Sequence, residues 1–180
     1  VIGMVPQTAQ LVSGTVRSNL CWRDANASDQ ELWRALEIAQ AADFVRSLEA
    51  GLDAPVEASG KNFSGGQCQR LTIARALVGD PKILVLDDSS SALDLQTDAR
   101  LRRSLRQLAF ASAEASGPGA PVPLTTVIVS QRVSSVRDAD LICVMRRGRA
   151  VGLGTHAQLL STCDVYREIC ESQLEREGVA

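Results

Sequence analysis

Apolar positions along this chain fall into runs whose period changes. The opening VIGMVPQ, residues 1–7, is apolar until Pro6 breaks it, which predicts a strand running into a loop. Over Ser28 to Leu48 the period becomes helical. Leu32, Leu36, Ala39, Phe44 and Leu48 recur on one face, and Ser28 with Glu31 has the form of a capping box, so one helix is predicted there. GLDAPVEASGKN, residues 51–62, reads as a loop. A second helix is predicted from SGGQ through CQRLTIARALVG, with Leu71, Ala74 and Leu77 or Val78 facing inward.

Further along, PKILVL is a short buried strand, and SALDLQTDARLRRSLRQLAFAS a helix with a basic outer face. EASGPGAPVPL, rich in Pro, Gly and Ala, reads as a flexible surface loop. TTVIVSQ is another buried strand. DLICVMRRGRAVGLG is a strand, a turn at Arg147-Gly148 and a second strand, and a helical pattern closes the chain. Strands alternating with helices predict an α/β fold around a mostly parallel sheet.

Composition narrows the function classes. At 180 residues, 45% hydrophobic and 22% charged, the chain suits one globular domain. A net charge of −2 argues against nucleic acid as a partner held by broad electrostatics. No apolar run approaches the roughly 20 residues of a membrane-spanning helix. The five cysteines include no CxxC pair, which predicts buried thiols in a reducing compartment and neither a zinc site nor a disulfide scaffold.

Two stretches carry chemistry. In NFSGGQCQRLTIARAL, residues 62–77, adjacent glycines after a serine open a helix, so that backbone N–H groups and the helix dipole favour an approaching phosphate. By itself SGG also serves as an ordinary cap; Gln67, Gln69 and Arg70 after it make the pattern specific. In ILVLDDSSSALD, residues 83–94, four apolar residues deliver two carboxylates, the form of a buried strand presenting a metal ligand.

The first stretch resembles the signature motif of ATP-binding cassette (ABC) proteins, and the resemblance extends over nearly the whole chain in order. VPQ with Gln7 looks like the family's Q-loop, followed by LVSGTVRSNL in the form found in ABC exporters. Asp87 matches the Walker B aspartate, Ser91 to Asp94 the D-loop, and GRAVGLGTHAQLL the C-terminal strand and helix. The resemblance implies ATP and Mg²⁺ as ligands, with Asp87 and Gln7 toward the metal and Gln7, Ser64, Gly65, Gly66, Gln67 and Asp94 toward nucleotide. It also implies an organisation: core strand and Q-loop at 1–12, helical subdomain with the signature at 13–79, the Walker B half of the core at 80–160 with a flexible loop near 111–124, and a C-terminal helix at 161–180.

Departures from the family pattern fall at both catalytic positions. The residue after the Walker B aspartate is usually Glu, and here it is Asp88, one methylene shorter; a misplacement of ~1 Å can cost a hundredfold in rate. The family's switch histidine is replaced by Gln131, whose amide can donate a hydrogen bond but cannot carry a proton or positive charge. His156, the single histidine, lies past the final strand and is read as a surface or capping residue. This combination resembles the degenerate subunit of heterodimeric ABC exporters. The resemblance implies a second half-transporter with a competent catalytic site and transmembrane domains as partners, at the cytoplasmic face of the cell membrane. In that arrangement Ser64 to Gln67 complete the partner's site. The loop before the signature reads EASGKN, and Glu57 is the candidate there for contact with the transmembrane domains. A soluble, non-transport ABC ATPase and a regulatory ATP-binding module are the alternatives.

A phosphate-cradling GxxxxGK[ST] is absent: the only lysines, Lys61 and Lys82, have neither its context nor its spacing. The family places that loop upstream of the Q-loop, so the chain is read as the C-terminal portion of a nucleotide-binding domain. A calorimetric titration of MgATP into the 180-residue chain is therefore expected to give no binding heat. Tight binding would require a phosphate cradle of another kind.

Overall fold

The computed structural model describes residues 2–89, 91–114 and 123–177. The chain forms two compact units, Val1–Val129 and Ser130–Ala180. In the first, β1 (Ile2–Val5) leads to a short strand β2 (Gly14–Thr15) and α1 (Val16–Leu20), then α2 (Asp29–Ile38) and α3 (Ala42–Ser47). A two-residue strand β3 (Pro55–Val56) precedes α4 (Gly65–Leu77), β4 (Ile83–Asp87), α5 (Leu95–Glu114) and β5 (Thr125–Val129). The second unit holds α6 (Val133–Val136), the hairpin β6 (Ile142–Arg146) and β7 (Arg149–Gly154), α7 (His156–Thr162) and α8 (Asp164–Glu177).

The main sheet has the order β1-β4-β5, all parallel, with Val5 opposite Leu86 and Asp87 opposite Val129. The chain is thus α/β with a parallel sheet, as the alternation of strands and helices predicts. Alternating burial turns Val5, Leu84 and Leu86 into the core of this unit, while Ile2, Met4, Val127 and Val129 stand exposed on the other face. The core also takes Leu20 from α1, Leu32 and Leu36 from α2, and Leu71 and Ile73 from α4. β1 passes so close to α4 that a Cβ on Gly3 would lie 2.5 Å from the Ala76 carbonyl oxygen, which also accepts from Arg23 Nη1 at 3.0 Å.

α4 is the element most fully enclosed. Cys68, Gln69, Leu71 through Ala74, Ala76 and Leu77 are all buried, so the inward face predicted from Leu71, Ala74 and Leu77 is only part of what packs. The Gln69 amide nitrogen is enclosed with no hydrogen-bond partner among the described residues. A buried unsatisfied donor of this kind is uncommon.

The single helix predicted over Ser28 to Leu48 is two helices. At its break Gln40 has φ 59, the Gln40 N–H donates to the Glu37 carbonyl at 3.1 Å, and the Ala41 N–H to the Leu36 carbonyl at 2.8 Å. These are the paired bonds of a Schellman termination, with glutamine where glycine is usual. The closing helical pattern is likewise divided, at Cys163, between α7 and α8. The loop predicted at 51–62 contains β3, which pairs with β2 antiparallel. Of the expected Pro/Gly-rich loop, residues 115–122 lie outside the described residues. In the second unit Ile142, Val144, Leu159, Cys163, Tyr166 and Cys170 form a separate small core. Buried thiols are the rule, but Cys143 is exposed on β6. Among the described residues no helix is long and apolar enough to cross a membrane.

Asp94 caps α5. Its Oδ2 accepts from the Thr97 hydroxyl at 2.6 Å and its Oδ1 from the Thr97 N–H at 2.9 Å, and these two bonds hold its carboxyl below the ordinary aspartate range. The cap therefore contributes stability above the unfolded aspartate value, ~3.9, and loses it as pH falls through the lower folded value. Thr97→Val is expected to move the Asp94 carboxyl titration upward, read by the carbon-13 shift of its side chain. No movement would mean the hydroxyl bond does not hold the ion. At the strand end, Gly3→Ala is expected to lower stability by about 1–3 kcal/mol in urea denaturation, because the backbone of α4 cannot yield to the new methyl group.

Candidate functional site

Two parallel strands end side by side, and their last residues make the site. β4 is the central strand, so the chain leaves the sheet at Asp87 and Asp88 with β1 on one side and β5 on the other. The Asp88 N–H extends the ladder to the Val129 carbonyl at 2.8 Å, after which the backbone turns sharply, with φ 43 at Asp88. The Asp88 carbonyl then accepts from the Ser91 hydroxyl at 2.9 Å, closing the turn. An aspartate tolerates this left-handed conformation better than most residues.

Gln7 follows β1 by two residues and meets that turn. Its Nε2 donates to Asp88 Oδ2 at 3.3 Å, a long, exposed hydrogen bond that joins residues 81 positions apart. The loop beyond Gln7 is held from behind by Asn19, which is buried. Asn19 Oδ1 accepts from the Val12 N–H, and its Nδ2 donates to the Val12 and Thr15 carbonyls, each at 2.9 Å. Asp87, Asp88 and the Gln7 amide oxygen are hard oxygen donors at the carboxyl ends of parallel strands, where open α/β sheets hold their ligands. A metal that keeps several waters and takes one or two carboxylates fits this donor set.

The signature residues sit together at the start of α4. Ser64 is the N-cap: its hydroxyl accepts from the Gln67 N–H at 3.2 Å, while Gln67 Oε1 accepts from the Ser64 N–H at 2.8 Å. This reciprocal box leaves the first turn's remaining N–H groups pointing outward along the helix axis. Gly65 faces open space, whereas a Cβ on Gly66 would come 3.2 Å from the Ala92 carbonyl oxygen. Of the two, only Gly66 has a packing reason to be glycine: it lets the 91–94 segment lie against the helix.

Among the described residues no hydrogen bond joins Ser64–Gln67 to Gln7, Asp87 or Asp88. Gln7 and Asp88 are thus joined directly, with Asp87 next to Asp88 in the chain, while Ser64, Gly65, Gly66 and Gln67 gather at the start of α4. Asp94 stands behind the latter, with its carboxylate engaged by Thr97. Gln131 belongs to the second unit, where its side chain is exposed and its carbonyl accepts from Gln173 Nε2 at 2.6 Å. Gln173 Oε1 also accepts from the Val133 N–H at 2.8 Å, so α8 fixes the segment that carries Gln131. Glu57 is exposed, and Asn62 Oδ1 accepts from its N–H at 2.9 Å. His156 is not a plain surface histidine: it follows the true cap, Thr155, and its Nδ1 lies 2.8 Å from the Tyr166 hydroxyl.

Sequence reasoning missed three supporting residues, Asn19, Gln40 and Arg70. Arg70 Nη1 donates to the Gln40 carbonyl at 2.7 Å, and its Nε to the Gly66 carbonyl at 3.2 Å. Arg70 stands just behind SGGQ and Asn19 within LVSGTVRSNL, so both lay in stretches the sequence singles out without a part of their own; Gln40 lay in none.

Comparison with known proteins identifies the family. The ABC transporter family profile matches residues 1–91, half of the chain. An uncharacterized ABC transporter ATP-binding protein of Bacillus subtilis, YfiB, is 41% identical over 177 residues, which are 98% of this chain and 28% of that protein. The ABC multidrug transporter atrC of Emericella nidulans is 36% identical over 188 residues, covering 96% of this chain and 14% of that protein. Among solved structures, that of a bacterial Atm1-family ABC exporter with ATP bound matches with a TM-score of 0.85 at 33% identity, over 96% of this chain and 28% of the exporter chain. The chain spans less than a third of the length of each of these relatives. With the motifs in order, their residues at the carboxyl ends of a parallel sheet and at a helix start, and this degree of likeness, the chain belongs to the ABC transporter family as part of its ATP-binding domain.

Proposed function

We propose that this chain is part of the ATPase module of an ABC exporter, working at the cytoplasmic face of the cell membrane against transmembrane domains. Its own half-site holds MgATP with slow turnover, and its signature completes the competent site of a second half-transporter. The observation that carries this reading is the Gln7–Asp88 contact. The hydrogen bond at 3.3 Å ties up one oxygen of the very carboxylate that would have to take a proton from water. A Glu at that position would have a further methylene with which to reach past the amide.

Gln7 and Asp87 are the residues that would hold Mg²⁺; the Gln7 amide nitrogen is engaged by Asp88, which leaves its oxygen as the donor it could offer. When bound, Mg²⁺ neutralises charge on the β- and γ-phosphates. Asp88 orients Gln7 through that hydrogen bond. Gln131 contributes a neutral hydrogen-bond donor where an imidazole would supply a proton or a positive charge. Ser64, Gly65, Gly66 and Gln67 offer outward N–H groups and a hydroxyl to the nucleotide of the partner. That no hydrogen bond joins the two sets among the described residues is compatible with head-to-tail pairing, in which each set serves a different nucleotide. The exporter assignment draws on the Atm1-family structure and the multidrug relative, and on the form SGTVRSNL, in which Asn19 pins the loop behind Gln7.

Changing Asp88→Glu together with Gln131→His in the full-length heterodimer, with the partner's catalytic carboxylate removed, is expected to raise ATP hydrolysis at least tenfold. Phosphate release at the level of the unmodified pair would mean that these residues are not what slows the site.

A further inference from the structure

The motif residues explain what is offered to nucleotide, but not what keeps the signature in register with the segment that follows Walker B. Three hydrogen bonds form a continuous path from Gly66 to α5, and two ring contacts brace it. Arg70 Nε returns to the Gly66 carbonyl at 3.2 Å, one helical turn back, while Nη1 donates to the Gln40 carbonyl at 2.7 Å. Gln40 Nε2 then donates to Ser104 Oγ on α5 at 3.2 Å. The guanidinium also lies over the Phe44 ring, 5.0 Å from its centroid, and that ring meets Phe63 edge-on at 6.1 Å. Phe63 immediately precedes Ser64.

One planar group therefore touches the signature backbone, the α2–α3 junction and the aromatic pair leading into the cap. Burial lowers the pKa of Arg70, and Asp94 and Asp43 act in the opposite direction, so the charge sits in a partly desolvated place with carboxylates of both neighbouring segments in its field. Gln40 holds φ 59, a conformation that costs a non-glycine side chain free energy, yet glycine is not used there. Glutamine supplies an amide that glycine lacks: its Nε2 donates to the Glu37 carbonyl at 3.1 Å, closing the end of α2, and to Ser104 on α5 at 3.2 Å.

We propose that Arg70 and Gln40 are a pair of positioning residues that fasten the signature turn to α5, so that the Ser64–Gln67 turn and the 91–94 segment move as one body. The direct contact of Gly66 with Ala92 closes the other end of that body. The pair touches no nucleotide; it acts through the backbone of Gly66. This rests on the proposed role of the signature at the partner's site, where geometry in the transition state, more than ground-state affinity, would feel a loosened turn.

The test uses the full-length chain assembled with its partner in a bilayer, with steady-state ATPase and thermal melting measured on the same preparations. Arg70→Lys keeps the charge but loses the planar fork that serves two carbonyls at once. It is expected to lower kcat about tenfold while KM for ATP stays within about twofold. Gln40→Gly keeps the carbonyl and removes the φ penalty, so it is expected to lower kcat similarly with an unchanged or higher melting point. A merely structural role would give the opposite pattern for that variant. Gly65→Asp, which would block the approach to the signature, is the control. If Gly65→Asp abolishes turnover while both Arg70→Lys and Gln40→Gly keep wild-type kcat, the positioning pair is overturned and the proposed function stands. If Gly65→Asp leaves turnover unaltered, the role in the partner's site falls, and the pair with it.

Discussion

Parallel pairing of β4 with a neighbour on each side fixes where the carboxylates of Asp87 and Asp88 can be. A central strand cannot slide by one residue without turning Leu84 and Leu86 out of the core, so the strand end is as well defined as the core itself. The ladder continues one residue past Asp87, through the Asp88 N–H, and only then does the chain turn. Gln7 reaches the same point because β1 pairs with β4 in register and ends beside it. The long-range contact between Gln7 and Asp88 is thus a consequence of sheet register, not of local sequence.

The signature depends on a different constraint, the enclosure of α4. A helix buried on most sides has little freedom to rotate, and its first turn is set by the Ser64–Gln67 box and by the closeness of Gly66 to Ala92. The sheet end and the helix start are therefore two rigid presentations built on one core. Under the proposed function, this rigidity lets one chain serve two nucleotides: a half-site at the strand ends, and a phosphate-facing turn lent to a partner.

Much of this was legible in the sequence, and the exceptions share a cause. Strands β1, β4 and β5 and the hairpin β6–β7 follow from short apolar runs bounded by Pro, Gly or Asp. The boundary of α4 follows from SGGQ. What escaped was any termination made without glycine. Gln40 ends α2 by a Schellman pair, and its side-chain amide both closes the helix end on the Glu37 carbonyl at 3.1 Å and reaches Ser104, 64 residues away, at 3.2 Å; only the second partner lies beyond any local window. Asp94 was visible as a motif residue, but its engagement by Thr97 as a helix cap was not read. The site was legible as residue types; its pairing was not. That Gln7 would meet Asp88, and that Asn19 would hold the loop between, are properties of register and burial that only the fold supplies.

Under the proposed function, Asp88 and Gln131 are what slows this chain's own half-site. The most direct measurement is vanadate trapping of a photoreactive ATP analogue in the assembled transporter, followed by identification of the labelled chain. Trapping requires turnover. Vanadate-dependent label is expected on the partner chain, with this chain labelled to the same extent with and without vanadate, as a site that binds nucleotide but turns it over slowly requires. Vanadate-dependent label on this chain, equal to that on the partner, would contradict that expectation.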